Sequence, residues 1–260
     1  MKNFFLITLS TLLLISCESD SEESLILDPI LPVQNNLLLK EEITGSYKTI
    51  YTYDSQRRFN TIVTKDTITE NLYRTYDFEY NSDELNTITV KQYTSSGEYS
   101  LSGLHVYSFE YLNSNQIVCT DEYENLTSGF TNNSEYIIHL NDYGQIVSGF
   151  GSYTYLHDES GNLKKTSYTI GYEEYNYDNK RGFHSNVTTP HWALHNLYYG
   201  FENGLVNNRI SKMYRYNMDP DNPNTYTDIY EYNDQGFPIK GTHYSISQPP
   251  SVTIYKYQTY

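Results

Sequence analysis

The sequence is poor in cysteine and in positive charge, and each shortage excludes a class of protein. Two cysteines among 260 residues cannot form a disulfide framework or a four-cysteine zinc site. Lysine and arginine number 17 against 32 aspartates and glutamates, which gives a formal net charge of −15. A chain this acidic repels phosphate backbones, so we expect no nucleic-acid partner.

The sequence also lacks the motifs of common enzymes. It has no Gly-x-Ser-x-Gly elbow, no phosphate-binding glycine loop and no Gly-x-Gly-x-x-Gly. Neighbouring carboxylates such as Glu173 and Glu174 would point to opposite faces of a strand, so they cannot act together as acid and base. We therefore expect no catalytic residue, no cofactor and no enzymatic activity. A hydrolase site assembled from distant Asp, Glu and His side chains is the less favoured alternative.

The N-terminus has the pattern of a secretion signal. Lys2 precedes an apolar run over 4–15 that is too short to span a bilayer but has the length of a signal-peptide core. The run ends in Leu-Ile-Ser-Cys at 14–17, which resembles the lipobox of bacterial lipoproteins. In that family the cysteine carries the lipid and the signal is cut before it. The resemblance implies a signal peptide over 1–16 and a lipid anchor on Cys17.

The segment after the lipobox is acidic, with Glu or Asp at four of the positions in 18–23. It resembles the export signal that takes Bacteroidetes lipoproteins to the outer face of the outer membrane. The resemblance implies an outer-membrane protein that faces the exterior and contacts the membrane through its lipid. We predict that 17–42 is a flexible tether and that 43–260 is the folded domain.

The body of the chain repeats one phrase, in which two aromatic residues flank any residue and Asn or Asp follows. Residues i and i+2 of a strand point to the same face, so each phrase puts two rings in one row. The Asn or Asp, often followed by Gly, is typical of a tight reversal of the chain. Copies occur at 51–54, 78–81, 175–178, 214–217 and 230–233.

These repeats predict an all-β fold. A single hairpin is marginally stable in water, whereas hairpins that pair side by side bury one shared face. We expect one long antiparallel meander of about 12–16 strands, curled or barrel-like, because flat sheets of that width leave exposed edges.

The longer form of the phrase adds a Gly and an apolar residue, as at 140–146, 157–163 and 230–237. It resembles the YD repeat of RHS-type bacterial shell proteins, degenerate copies of which occur in flavobacterial and other Bacteroidetes lipoproteins. The likeness covers most of 47–260 and implies a β architecture without naming a ligand. The chain is too short to enclose a toxin as the large RHS shells do.

One segment, 177–204, departs from the repeat. A cap residue, a proline and good helix formers predict a short helical insert near 190–199. Its rings would plug one mouth of a curled sheet. If the protein binds a ligand instead, Trp192, Tyr198 and Tyr199 are the candidate ligand-binding residues.

Two patterns resemble metal sites and lack essential parts. His191 and His195 stand four apart, as in half of a zinc motif, but Trp192 occupies the position of the catalytic Glu. The segment 219–224 begins like a calcium loop, yet Asn and Tyr stand where that loop needs Gly and Glu. We predict no metal site, and a long polar hairpin turn at 219–224.

The surplus of tyrosine, 30 residues against 10 phenylalanines, carries the functional expectation. We predict a non-enzymatic cell-surface lipoprotein whose β scaffold serves contact or adhesion. The alternative is a carbohydrate-binding accessory protein of a glycan-uptake system, because exposed tyrosines stack on sugars. The partner would be a glycan or another protein. A third interpretation is that the tyrosines form cross-strand ladders in the core of the protein and bind no ligand.

Overall fold

The computed structural model describes residues 36–94, 100–149, 152–197, 204–217, 219–246 and 248–260. The predicted signal peptide over 1–16, Cys17, Tyr198 and Tyr199 lie outside the described residues.

Sixteen strands and one short helix make up the described part of the chain. In chain order they are β1 (Leu37–Thr44), β2 (Tyr47–Tyr53), β3 (Phe59–Asp66), β4 (Leu72–Asn81), β5 (Glu84–Thr94), β6 (Ser100–Asn113), β7 (Gln116–Asn125), β8 (Phe130–Leu140), β9 (Ile146–Gly149), β10 (Tyr153–His157), β11 (Leu163–Tyr168), β12 (Gly171–Tyr177), α1 (His191–Leu197), β13 (Arg209–Tyr216), β14 (Asp219–Tyr232), β15 (Pro238–Tyr244) and β16 (Ser251–Thr259).

The strands form a closed antiparallel barrel in which each strand pairs with its neighbours in sequence and β16 pairs with β1. This arrangement confirms the prediction of an all-β, barrel-like meander with a short helical insert. Closure removes the free edges that a wide sheet would otherwise expose. The first strand, β1, already begins at Leu37, and its Leu38 and Leu39 are in the core. The tether boundary predicted at residue 42 therefore falls inside this strand.

The paired rings of the repeats share one face, and that face is the inside of the barrel. Tyr51 on β2 is buried and lies opposite Ile62 on β3, which in turn lies opposite Tyr76 on β4. Alternation along each strand therefore sends the second ring of each phrase inward as well. Tyr53 and Tyr257 pack against the buried cluster from that position.

The Asn or Asp of the phrase organises a turn at one end of the barrel. Asp54 Oδ1 accepts hydrogen bonds from the N–H groups of Gln56 and Arg58, at 2.9 and 3.0 Å. Asn141, Asp158 and Asn233 accept the equivalent pairs.

The residue three positions after the Asn or Asp has a positive φ in each of these four turns. It is Gly144, Gly161 or Gly236 in three turns and Arg57, with φ 63°, in the fourth. Glycine adopts this conformation without steric cost, which explains its place in the phrase.

The second ring of the phrase holds neighbouring strands together near the same end. Tyr53 Oη donates to the carbonyl of Leu39 at 2.7 Å. Tyr177 Oη donates to the carbonyl of Leu163 at 2.9 Å, and Tyr257 Oη donates to that of Pro238 at 2.8 Å. Each bond satisfies a tyrosine hydroxyl close to the core.

The segment between β12 and β13 is an insertion into one of these turns. Asp178 Oδ1 accepts from Lys180 N at 3.0 Å, as in the other turns, but its second donor is Asn208 N at 3.1 Å. Residues 181–207 thus replace the single residue that elsewhere separates the two donors. We call the described part of this insert, 181–197 and 204–207, the plug.

The plug fills the end of the barrel at which the Asn and Asp turns of the repeat lie. We call this end the plug end. Trp192 is 4% exposed and its ring meets Phe109 on β6 edge to face, with centroids 5.1 Å apart. Phe183 stacks on Tyr255 of β16 at 5.1 Å, and Thr189 Oγ1 accepts a bond from Phe59 N on β3 at 2.7 Å. Strands spaced around the barrel therefore contact the plug together.

Candidate functional site

The opposite end of the barrel, which we call the open end, exposes inward-facing rings. Tyr47, Tyr153, Tyr216 and Tyr226 are 41%, 42%, 39% and 40% exposed, although alternation places them on the same face as the buried rings of the plug end. We call the space lined by the inward-facing side chains of this half the cup. The barrel is thus filled at one end and accessible at the other.

Four tyrosines form a continuous row on one wall of the cup, which we call the tyrosine shelf. The ring centroids of Tyr153 and Tyr168 are 5.6 Å apart, those of Tyr168 and Tyr214 are 5.8 Å apart, and those of Tyr214 and Tyr216 are 4.5 Å apart. Burial, first, and then the Tyr214 hydroxyl raise the pKa of Tyr168. The Tyr168 hydroxyl is therefore neutral at physiological pH.

The shelf depends on a close approach of β12 to β13. Gly171 lies opposite Tyr216, and a Cβ at Gly171 would come within 2.1 Å of the Arg215 carbonyl oxygen. Only glycine fits at this position without moving the backbone that carries Tyr214 and Tyr216.

A carboxylate with a compensated charge lies beside the shelf, because Glu173 is directly opposite Tyr214 in the ladder of β12 and β13. Lys212 Nζ is 3.0 Å from Glu173 Oε1, and both side chains are mostly buried. Tyr175 Oη donates to the other oxygen of Glu173. Glu173 therefore presents a carboxylate whose charge is already compensated by Lys212.

A second group of rings lines the cup on β6 and β7. The His105 ring lies 4.3 Å from that of Tyr123 and stacks parallel to that of Tyr107 at 5.8 Å. His105 Nδ1 is 3.3 Å from Asp121 Oδ1. Burial raises the pKa of Tyr107, so this hydroxyl also stays protonated at physiological pH.

An acid, an imidazole and a hydroxyl line up across β14, β15 and β16. Asp228 Oδ1 is 2.8 Å from His243 Nδ1, and His243 Nε2 is 3.0 Å from Thr253 Oγ1. Although burial alone would raise the pKa of Asp228, the His243 hydrogen bond and the Arg209 charge lower it. The order of groups resembles that of a hydrolytic triad.

The position of Thr253 argues against nucleophilic catalysis by this relay. A nucleophilic hydroxyl must reach the substrate, but Thr253 is 1% exposed and its Oγ1 lies 2.6 Å from Thr44 Oγ1. Both ring nitrogens of His243 already have protein partners. The relay therefore joins β14, β15, β16 and β1 as a buried hydrogen-bond network.

Of the ligand-binding residues expected from the sequence, Trp192 is the one that the described part of the chain includes. Trp192 lies in the plug, packed on Phe109 and Tyr111. The shelf tyrosines were missed, although the phrase at 214–217 contains two of them. Cys119 is a buried thiol that donates to Tyr136 Oη at 3.1 Å, and burial raises its pKa to about 12.

The described residues contain no group of three or more His, Cys, Asp or Glu side chains placed to hold a metal ion. His195 packs against His157 of β10, with ring centroids 5.6 Å apart. No helix in the described part of the chain has the length and apolar character needed to cross a membrane.

No protein-family model and no curated protein matches this sequence. Among the solved structures with a loose likeness of fold are two porin-like proteins. A porin-like protein from Bacteroides vulgatus ATCC 8482 is 11% identical with a TM-score of 0.44, over 86% of this chain and 99% of that one. A porin-like protein from Bacteroides uniformis ATCC 8492 is 15% identical with a TM-score of 0.39, over 85% of this chain and 95% of that one.

Proposed function

We propose that this protein is a non-enzymatic, lipid-anchored protein of the cell surface whose cup binds carbohydrate. The tyrosine shelf carries the proposal. A row of rings in contact, with both end rings about two-fifths exposed, offers flat apolar faces edged by hydroxyls. Sugar rings need both surfaces, because their C–H faces are apolar and their rims are polar.

Three acidic side chains inside the cup that lie beside basic ones also suit a neutral, hydroxyl-rich ligand. Lys212 compensates Glu173, Arg209 compensates Asp228, and His105 lies beside Asp121. A strongly charged ligand would meet charges that are already paired, whereas a hydroxyl can both donate to and accept from such groups.

The orientation of the rings favours carbohydrate binding over the adhesion scaffold. Adhesion through rows of tyrosine would need those rows on the outer surface of the barrel. The repeat rings Tyr51, Phe78, Phe109 and Tyr255 are instead buried in its core. The accessible rings lie in a concave space, where a small ligand contacts several of them at once.

The outer surface of the barrel supports attachment by the lipid on Cys17. Ion pairs join neighbouring strands on this surface, including Lys91 with Asp77 at 2.9 Å and Lys256 with Glu41 at 2.9 Å. These side chains alternate with buried inward-facing residues, so they point outward midway along the strands. A charged side chain that faces lipid raises the free energy of the folded barrel, whereas the same side chain is well solvated in water. We therefore propose that the barrel stands in water outside the outer membrane.

A glycan array tests the proposal with the full chain purified in detergent at neutral pH. The strongest glycan is then titrated calorimetrically into the wild type and into Tyr216→Ala. Loss of one ring of the shelf should weaken binding by about tenfold or more.

The matched control is Tyr143→Ala. Tyr143 is 88% exposed in a turn at the plug end and should not affect affinity. An array without any bound glycan would contradict the proposal. So would an equal loss of affinity in Tyr216→Ala and Tyr143→Ala.

A further inference from the structure

We infer that docking of the plug is sensitive to acid. In mildly acidic solution the plug undocks from the plug end, while the strands stay paired in a closed barrel. The inference stands on a cluster of histidines inside the plug and on the way that the insert joins the barrel. It does not depend on the ligand of the cup.

Histidines are concentrated at the plug. The chain has seven, and His184, His191 and His195 belong to the insert, while His157 faces it from the end of β10. Among the described residues, His157 Nε2 and His195 Nδ1 are buried without a hydrogen-bond partner. Docking the plug therefore removes water from these nitrogens without replacing it.

Aromatic rings surround the deepest of these histidines. The His184 ring is 1% exposed and lies 5.1 Å from Tyr51, 5.3 Å from Phe59 and 4.8 Å from Phe183. An imidazolium at this position would lose its hydration inside an aromatic pocket, so the docked state strongly favours the neutral ring.

Burial lowers the pKa of all four histidines, to about 3 for His184 and His195. His191 lowers the pKa of the other three further, and His157 and His195 face each other. Asp158, beside His157, is the acid that opposes this effect. The phenol of Tyr51, which faces His184, is neutral throughout this range.

The sign of the pH dependence follows from these shifts. Above the ordinary histidine pKa of about 6.5, docked and released plugs are both neutral, and docking has its full strength. Below it the released plug binds protons that the docked plug excludes. Each such histidine then raises the released fraction by about tenfold per pH unit, down to its own lowered pKa. Several histidines acting together make the transition steep.

The insert can leave without opening the barrel because it is tied to one turn. Asp178 and Asn208 close that turn below the plug, and Tyr177 pairs with Arg209 in the ladder of β12 and β13. Its other contacts with the barrel are side-chain packing and single hydrogen bonds, such as Asn186 Nδ2 to the Leu37 carbonyl at 2.8 Å and Phe59 N to Thr189 Oγ1 at 2.7 Å. None of them is part of the strand ladder.

Trp192 makes the test selective, because it is the chain's one tryptophan and lies buried in the plug. The full chain in detergent is titrated from about pH 7.5 to about pH 4.5 while Trp emission and far-ultraviolet circular dichroism are recorded. We expect the emission to shift to longer wavelength with uptake of more than one proton, while the β signal remains. Unchanged emission would overturn the inference, and so would simultaneous loss of emission and β structure.

The double variant His157→Gln/His195→Gln tests the mechanism. It should move the emission midpoint to lower pH and reduce the number of protons taken up, since two of the four titrating rings are gone. His105→Gln, in the cup, is the matched control and should leave the midpoint unchanged. Equal midpoints in the wild type and the double variant would overturn the histidine mechanism. If the double variant does not fold at neutral pH, the wild-type titration still decides the inference.

Discussion

Asn208 donates to Asp178 across thirty residues of sequence in the same way that Arg58 donates to Asp54 within one turn. The N–O distances are 3.1 and 3.0 Å. The plug is therefore an addition to a repeat turn that has kept its hydrogen bonds. Asp178 also accepts from the Tyr232 hydroxyl, so a single carboxylate closes the turn and fixes the neighbouring strand β14.

Replacing Asp178 by alanine should lower the free energy of unfolding by about 1–3 kcal/mol. The change leaves Lys180 N and the buried Asn208 N without their acceptor. Urea unfolding measures the effect. Asp234→Ala, in an exposed turn position, should change the free energy by less than about 0.5 kcal/mol. Equal effects would show that the turn does not depend on Asp178.

Replacing Arg57 by glycine should stabilise the barrel by about 0.5–1 kcal/mol. Arg57 has φ 63° where the equivalent turns have glycine, and a side chain in this region is strained. Greater freedom of the unfolded glycine chain offsets part of the gain. Gly236→Ala, at φ 80°, should destabilise by about 1 kcal/mol in the same urea experiment. Effects of the opposite sign would contradict this explanation of the repeat.

Much of the fold was predictable from the aromatic pairs. Residues two apart on a strand share a face whatever the register, so Tyr51 and Tyr53 had to lie in one row. Polar reversals between such rows favour sequential pairing, and closure follows from the cost of edges. The sequence does not reveal that Asn208 N supplies the second hydrogen bond of the turn at Asp178, because that bond depends on the docking of the plug.

The cup could not be predicted, because exposure of an inward ring depends on where the plug ends. Tyr214 and Tyr255 are each the first ring of a phrase, but Tyr214 contacts Tyr168 and Tyr216 in the cup, whereas Tyr255 packs against Phe183 of the plug.

The polar turn predicted at 219–224 is wrong, since this segment begins β14. Tyr216 pairs with Asp219, whereas Tyr214 pairs with Asn224, so the prolines occupy an irregular stretch that needs no ladder bonds.

Thr253→Val should lower the free energy of unfolding by about 1–3 kcal/mol and leave glycan affinity unchanged. The substitution keeps the volume but removes the hydroxyl between His243 and Thr44. Thr242→Val, on the outward face of β15, is the control and should have little effect. Loss of a hydrolytic activity in Thr253→Val would contradict the structural role assigned to this relay.

Cys17→Ala should abolish labelling of the protein by radioactive palmitate and release the folded barrel from the membrane fraction. The proposed anchor is the lipid, because the outward ion pairs at Lys91 and Lys256 would be costly in a lipid-facing band. Ser16→Ala keeps the lipobox pattern of a small residue before the cysteine and is the matched control. Persistent labelling of Cys17→Ala, or unchanged membrane retention of the unlabelled protein, would contradict the anchor.

The location of the bound glycan tests the central claim most directly. Nuclear magnetic resonance of the protein with ring-labelled tyrosine, titrated with the best glycan of the array, reports on each ring separately. The account predicts shifts at Tyr153, Tyr168, Tyr214 and Tyr216, with Tyr143 unchanged. Shifts confined to tyrosines outside the cup, or a bound glycan that moves no shelf resonance, would contradict it.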